Sequence, residues 1–249
     1  MNDRQEKIYR LLERLGSASI ALLKKEVYAS EATLRRDLAR MEQQGLLIRT
    51  WGGAVATGGV NADPPLFLRS KSNLPKKNII ADSATALIRD GMTLFLASGT
   101  TVERLAHNLL KFQNLTVITN GLDIAAALKG HPYAKVVLLG GEFYENYDLI
   151  GPMTENAVRQ FNADLFFFSC SGITSEGFTA MDMSRLNIMR EMKNHSSKRI
   201  LLVDSSKVGK VHTYNGFSFE EIDHVVMDAP PKDPQLRKIL AKKLIPTKN

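Results

Sequence analysis

The chain has 249 residues, 44% hydrophobic and 24% charged, and 33 Lys plus Arg against 26 Asp plus Glu leave a formal net charge of +7. Those values suit one large globular domain, or a small one plus a medium one, and the basic balance permits an anionic partner without proving one. The lone Cys170 excludes an internal disulfide and a cysteine-rich zinc site and fits a reducing cytoplasm, while no apolar run approaches the ~18 residues of a membrane span and MNDRQEKIYR is too charged for a signal peptide.

From the N-terminus, Ile8, Leu11, Leu12 and Leu15 recur at helical spacing and stop at Gly16; SASIALLKKEV reads as a second short helix with a serine at its start. After a break at YAS, Ser30 is the expected N-cap of a third helix, and Leu34, Leu38 and Met41 face inward. The helical period then turns Ala32, Arg36, Ala39 and Arg40 outward, with Thr33 and Arg35 on the flanks. Gly45 is expected to end this helix, and LLIRTWGGAVA, which carries Arg49, to form a small hairpin or wing. Three short helices and a hairpin make a winged helix-turn-helix over residues 1–57, with the helix-turn-helix at about 20–39. In that arrangement the third helix enters the major groove of double-stranded DNA. Arginine suits the task because its donor fork pairs with guanine O6/N7 or with phosphate oxygens. Taken as a pair alone, Arg35 and Arg36 would equally suit a solvated helix face. The candidate DNA contacts are Ser30, Ala32, Thr33, Arg35, Arg36, Arg40 and Arg49.

Residues 58–75 hold glycines and prolines without a sustained period and read as a linker. Beyond it, residues 76–249 alternate apolar runs with helical patterns. Strands are expected at 92–97, 115–119, 135–140, 164–169, 199–204 and 223–228, and helices at 76–89, 101–111, 121–129, 153–160, 184–196 and 234–243. Short continuous apolar strands separated by helices predict an α/β domain with a mostly parallel sheet covered on both faces.

The stretch MTLFLASGTTVERLAHNLL is strand, tight loop, helix. Ser98, Gly99, Thr100 and Thr101 fall where backbone N–H groups at a helix start face outward, which makes an anion site, although a plain helix cap explains the loop as well. It has no Walker lysine and no G-x-G-x-x-G, so neither NTP hydrolysis nor dinucleotide binding follows, and no cofactor or metal is expected. Other strand ends add Asn120 in TNG, Gly141 in LLGGE, Gly172 in SCSGI, and Asp204 and Lys207 in DSSK. In an open parallel sheet such ends form the ligand crevice. Asp204 suits a polyol hydroxyl and Lys207 a phosphate; a turn with an exposed lysine is the plainer alternative.

The run Ser30, Thr33, Leu34, Arg35, Arg36, Asp37, Leu38, followed by Gly45, Leu47, Arg49, Gly52, Gly53 and Ala54, resembles the signature of the DeoR family of bacterial transcriptional regulators. It departs at Trp51, where the family usually has histidine; packing against the neighbouring domain is favoured slightly over stacking on a sugar. SGTT, TN, GGE, GP at 151–152, SGI, GFT at 177–179 and DSSK extend the resemblance to the DeoR effector domain, which relates to the sugar-phosphate isomerase and CoA-transferase fold. A second departure is SRLNIMREM, with Ser184 and Arg185 where many relatives carry an acid; this segment is expected to line or brace the effector site.

The resemblance implies a DNA-binding regulator, commonly a repressor of a carbohydrate-utilisation operon, whose grip on its operator changes when a phosphorylated sugar or related metabolite binds. A homo-oligomer, dimer or tetramer, is expected. The alternative is a sugar-phosphate isomerase-like enzyme carrying a DNA-binding tether. An enzyme needs a proton-transfer pair, and Phe178 stands where the amino-sugar-phosphate branch of the fold carries histidine, so no activity is expected.

Overall fold

The computed structural model describes residues 2–44, 46–56, 66–144 and 147–247. The chain divides into two compact units, Met1–Leu68 and Arg69–Asn249.

The first unit runs α1 (Asp3–Leu15), β1 (Ser17–Ser19), α2 (Ile20–Val27), α3 (Glu31–Gln43), β2 (Leu47–Thr50) and β3 (Gly53–Ala56). Each helix start is capped by a short polar side chain: Asn2 on the Gln5 amide at 2.9 Å, Ser19 on Leu22 at 3.2 Å and Ser30 on Thr33 at 3.3 Å. Ile8, Leu12 and Leu23 from the first two helices close over Leu34, Leu38 and Met41 of α3, and Leu47 and Ala54 seal the core from the hairpin. The C-cap of α3 is Gln44; Gly45, expected to end the helix, lies outside the described residues. β1 was not legible in the sequence: three residues are too few for a pattern, yet it pairs with β3 to give the sheet order β1-β3-β2. Gly53 makes that pairing possible, because a Cβ there would sit 2.1 Å from the Ala18 carbonyl oxygen.

In the stretch read as a linker, residues 57–65 lie outside the described residues, Leu66–Lys71 forms a short helix, α4, and α5 (Leu74–Ala84) starts two residues before the expected boundary. The second unit is built on seven parallel strands. In chain order they are β4 (Thr93–Leu96), β5 (Leu115–Thr119), β6 (Ala134–Leu138), β9 (Ala163–Phe168), β12 (Ser196–Leu202), β14 (His224–Val226) and β15 (Leu244–Ile245). Their spatial order is β15-β14-β12-β9-β4-β5-β6. Six fall on the expected apolar runs; β15, two residues long, does not announce itself. Alternation along each strand feeds two cores. Leu94, Leu96, Phe167 and Leu202 pack under α5, α6 (Thr100–His107) and α7 (Leu122–Ala127). Phe95, Phe166, Phe168 and Leu201 pack under α8 (Pro152–Val158), α9 (Met183–Asn194) and α10 (Pro234–Leu240).

Two small antiparallel elements were also not expected. One is the hairpin of β7 (Glu142–Tyr144) and β8 (Asp148–Ile150); the other is a sheet of β10 (Gly172–Thr174), β11 (Gly177–Ala180) and β13 (Tyr214–Asn215). Their two- to four-residue strands leave no period to read. Sequence neighbours β5 and β6 lie to one side of β4 and β9 to the other, so the order reverses there. The C-terminal ends of β4 and β9 therefore mark the switch point, where open parallel sheets place their ligand crevice.

Candidate functional site

On α3, Ala32, Arg35, Arg36 and Arg40 are exposed and Thr33 is half-buried, with its hydroxyl 2.9 Å from that of the capping Ser30. Arg35 is held by Glu31 at 2.7 Å, and Arg49 on β2 by Glu42 at 2.6 Å. Glu42 also accepts from the Arg49 amide at 2.8 Å; that backbone bond first, and the guanidinium second, hold its carboxyl below the usual range. The side chains of Arg36 and Arg40 make no hydrogen bond or ion pair among the described residues, which leaves their donors open on the outer face. Asp37, on α3, is buried. It accepts from Arg4 at 2.5 Å and from Gln5 at 2.9 Å and so pins α3 to α1. Trp51 does not pack into the core of its own unit; it is fully exposed at the tip of the wing.

In the second unit the chain leaves β4 through Ser98 and Gly99 into α6. Gly99 has φ +142, and a Cβ would stand 2.7 Å from the Ser169 hydroxyl at the end of β9, so only glycine lets these two strand ends close up. α6 has no side-chain cap, so its first amides remain available to an anion, with the buried Thr100 and Thr101 among them. Ser98 differs from expectation: its N–H already donates to Asn120 Oδ1 at 3.1 Å.

Asn120 is likewise spent on structure. It is buried, and its Nδ2 donates to the Leu149 carbonyl at 3.2 Å, tying the β7–β8 hairpin to the end of β5. Gly141 and Gly172 are set by close packing, since a Cβ would lie 1.9 Å from the Thr154 hydroxyl oxygen and 2.2 Å from the Lys210 carbonyl oxygen respectively. Asp204 is buried at the end of β12. Its Oδ1 accepts from the Ser206 amide at 2.9 Å and faces Asn73 Nδ2 at 3.5 Å, while its Oδ2 receives no donor among the described residues. Lys207, half-buried, follows in the same turn.

Sequence reasoning missed the cation at the centre. Lys77, on α5, is 5% exposed; its Nζ donates to Thr100 Oγ1 at 2.9 Å and to the Arg69 carbonyl. Burial pulls its pKa down to about 8, partly opposed by Asp204, with Lys207, Arg69 and Arg104 pushing the same way as burial. The only sequence signal was a lysine pair opening a helix, which is ordinarily a solvated feature. Its neighbour Lys76 donates to Ser205 at 2.7 Å, and Asp228 holds Ser205 in turn at 2.6 Å through the amide.

Arg185, noted as a departure, forms an ion pair with the buried Asp148 and lies 5.6 Å from the Tyr144 ring centroid. Burial raises the Asp148 pKa against the pull of Arg185 and of a hydrogen bond from Ser98. Burial also lifts Asp123, on α7, to about 6 and the Cys170 thiol to about 12. Phe178 is buried against Phe168 and Phe217, and Glu176 is exposed. Among the described residues no group of three or more His, Cys, Asp or Glu is placed to hold a metal, and no helix is long and apolar enough to cross a membrane. The crevice thus offers open helix amides, two hydroxyls and a buried ammonium to an anion, with an unsatisfied carboxylate oxygen near them for a hydroxyl.

Comparison with known proteins matches both units. The model of the DeoR-like helix-turn-helix domain fits residues 4–58, and that of the DeoR C terminal sensor domain fits residues 72–229. The transcriptional repressor AccR of Agrobacterium fabrum is 35% identical over 91% of this chain and 89% of its own length. The glycerol-3-phosphate regulon repressor of Escherichia coli is 33% identical over 92% of this chain and 91% of its own. Among solved structures, a D-ribose-5-phosphate isomerase in complex with phospho-erythronic acid aligns with a TM-score of 0.41 at 15% identity, over 53% of this chain and 52% of that one. With both of its units matched, and with repressors as relatives over nearly its whole length, the chain belongs to the DeoR family of DNA-binding transcriptional regulators.

Proposed function

We propose that this regulator is a cytoplasmic repressor of a carbohydrate-utilisation operon, and that a phosphorylated sugar or similar metabolite bound at the crevice controls its grip on DNA. The single observation that carries the reading is Lys77, a buried ammonium placed against the Thr100 hydroxyl at an uncapped helix start. A buried cation whose direct partners among the described residues are neutral oxygens favours the arrival of an anion. The glycerol-3-phosphate regulon in one relative's name is in keeping with a phosphate-ester ligand. The phosphate lies on Gly99, Thr100 and Thr101, with Lys77 and Lys207 as its cations, and Asp204 Oδ2 takes a sugar hydroxyl. Ser98, Asn120, Gly141 and Gly172 shape the crevice.

Arg36 and Arg40 read bases or phosphates directly. Arg35 and Arg49 exchange their glutamates for phosphates, while Ser30, Ala32 and Thr33 let the start of α3 come close to the duplex. One winged helix reads few base pairs, so the protein acts as a dimer or larger oligomer on repeated half-sites. The link from crevice to DNA starts at Arg69, whose carbonyl shares the Lys77 ammonium with Thr100. A phosphate that draws Lys77 towards α6 loosens its hold on Arg69, where the chain enters the second unit.

The test is a footprint on the DNA flanking the protein's own gene, with and without a panel of pentose, hexose and triose phosphates. A discrete protected site that one phosphate ester releases, and the parent unphosphorylated sugar does not, is the expected result. Protection indifferent to every phosphate would sink the ligand assignment.

A further inference from the structure

Trp51 is the only tryptophan of the chain and has 101% of its reference exposure, so its indole packs on none of the described residues of its own unit. It is not loosely held. Thr50 pairs with Gly53, which makes Trp51-Gly52 a two-residue turn, and the Gly52 carbonyl accepts from the Ile20 amide at 2.8 Å, anchoring that turn to the first residue of α2. A single exposed apolar side chain needs no explanation. A tryptophan held out on a fixed turn beside a basic surface does point to a partner, because Trp and Arg together mark binding surfaces.

The surroundings define that partner's chemistry. A cleft of about 310 Å³ between α3 and the wing is lined by Arg35, Glu42, Arg49 and Trp51 among others. Two guanidiniums and one indole face the same space, and each guanidinium is neutralised in the free protein by a carboxylate, Glu31 or Glu42. The complement is a run of anions alternating with apolar C–H faces. Duplex DNA presents that alternation along its sugar–phosphate backbone; its bases are stacked and offer only edges.

We infer that Trp51 lays its indole on a deoxyribose of the backbone while Arg35 and Arg49 take the flanking phosphates. This contact is indifferent to sequence and sets affinity and register, leaving base choice to α3. The inference rests on α3 and the wing being the DNA-facing surface.

The experiment uses full-length protein and a fluorescein-labelled, mixed-sequence 30-base-pair duplex at low salt, reading duplex anisotropy and Trp51 emission together. In free protein the emission should be red-shifted and freely quenched by acrylamide. Saturating duplex should shift and dim it and cut acrylamide quenching several-fold. Trp51→Ala should weaken binding about tenfold at every salt concentration without changing the salt slope, because no charge is removed, and Trp51→Phe should recover part of the loss. Arg49→Ala should reduce the slope by about one. If anisotropy reports binding while Trp51 emission stays unchanged, or if Trp51→Ala binds as wild type does, the inference fails and the DNA-facing surface stands. If no duplex binds, both fail. Free-protein emission already blue and shielded from acrylamide would mean that another part of the chain or a second copy covers the indole, which overturns the inference equally.

Discussion

Lys77 and Thr100, 23 residues apart on different helices, meet through a 2.9 Å hydrogen bond inside the second unit, with the ammonium donating and the hydroxyl oxygen accepting. The bond leaves the Thr100 hydroxyl proton free to donate outward, so the pair presents both a charge and a directed donor to whatever enters the crevice.

The first prediction is a bell-shaped dependence of ligand affinity on pH. With its pKa lowered to about 8, Lys77 loses its proton as pH rises through that value, and attraction for an anion fades. On the acid side a phosphate ester loses its second negative charge below about pH 6. Calorimetry with a sugar phosphate should therefore find strongest binding between these limits, and Lys77→Met should weaken binding and flatten the alkaline limb. Equal affinity at pH 7 and pH 9.5 in the wild type would contradict this.

The second prediction concerns the two hydroxyls. Replacing Thr100 and Thr101 together by valine keeps their volume but removes donors to the ligand and an acceptor for Lys77. Effector affinity should fall markedly, and the lost acceptor should cost about 1–3 kcal/mol of stability in the second unit. Operator binding without effector should persist. Unchanged calorimetric affinity for the effector would remove both residues from the site.

The third separates Arg36 from its neighbour. Arg36 is exposed with no partner among the described residues, so Arg36→Ala should leave the melting temperature unchanged. It should cost about 1–3 kcal/mol of operator binding and relax sequence preference at one position. Arg35 must first release Glu31, so Arg35→Ala should cost less. A footprinting titration in which Arg36→Ala matches the wild type in affinity and selectivity would show that α3 does not read DNA as proposed.

The fourth tests the departure at Arg185. Removing it strands the buried Asp148 carboxylate, at a cost of about 3–5 kcal/mol. Burial already raises the Asp148 pKa, and without Arg185 the rise grows. An acid whose folded pKa exceeds its unfolded value destabilises progressively as pH climbs between the two. Urea unfolding of Arg185→Ala should thus show a smaller deficit at pH 5 than at pH 8. Equal deficits would mean that Asp148 is not the group left unpaired.

The sequence disclosed those parts of the molecule that repeat a period or sit in a contiguous motif. Leu34, Leu38 and Met41 announced the inner face of α3, and runs such as LTVIT announced the strands, because burial on both faces of a parallel sheet leaves a continuous apolar signature. The crevice was legible only as strand ends. Lys77 and Asp148 were hidden because each looks, in sequence, like an ordinary surface residue, and only the tertiary fold buries them beside Thr100 and Arg185. Asn120 and Ser98 were read as facing a ligand, yet the Ser98 amide donates to Asn120 Oδ1, a pairing across 22 positions that no local pattern encodes, and Asn120 Nδ2 is taken by the Leu149 carbonyl. β1 and the β7–β8 hairpin escaped for want of length.

The hold of Arg4 and Gln5 on Asp37 bears on any attempt to rewire this regulator. The tilt of α3 is set in part by residues at the far end of the first unit, more than thirty positions earlier, none of them on its outer face. Transplanting the exposed arginines, or α3 entire, onto a related scaffold would carry the reading groups without the strut that aims them. A faithful transfer of operator choice has to move α1 with α3, and a regulator altered at Arg4 should change its operator preference with every outward-facing side chain of α3 left intact.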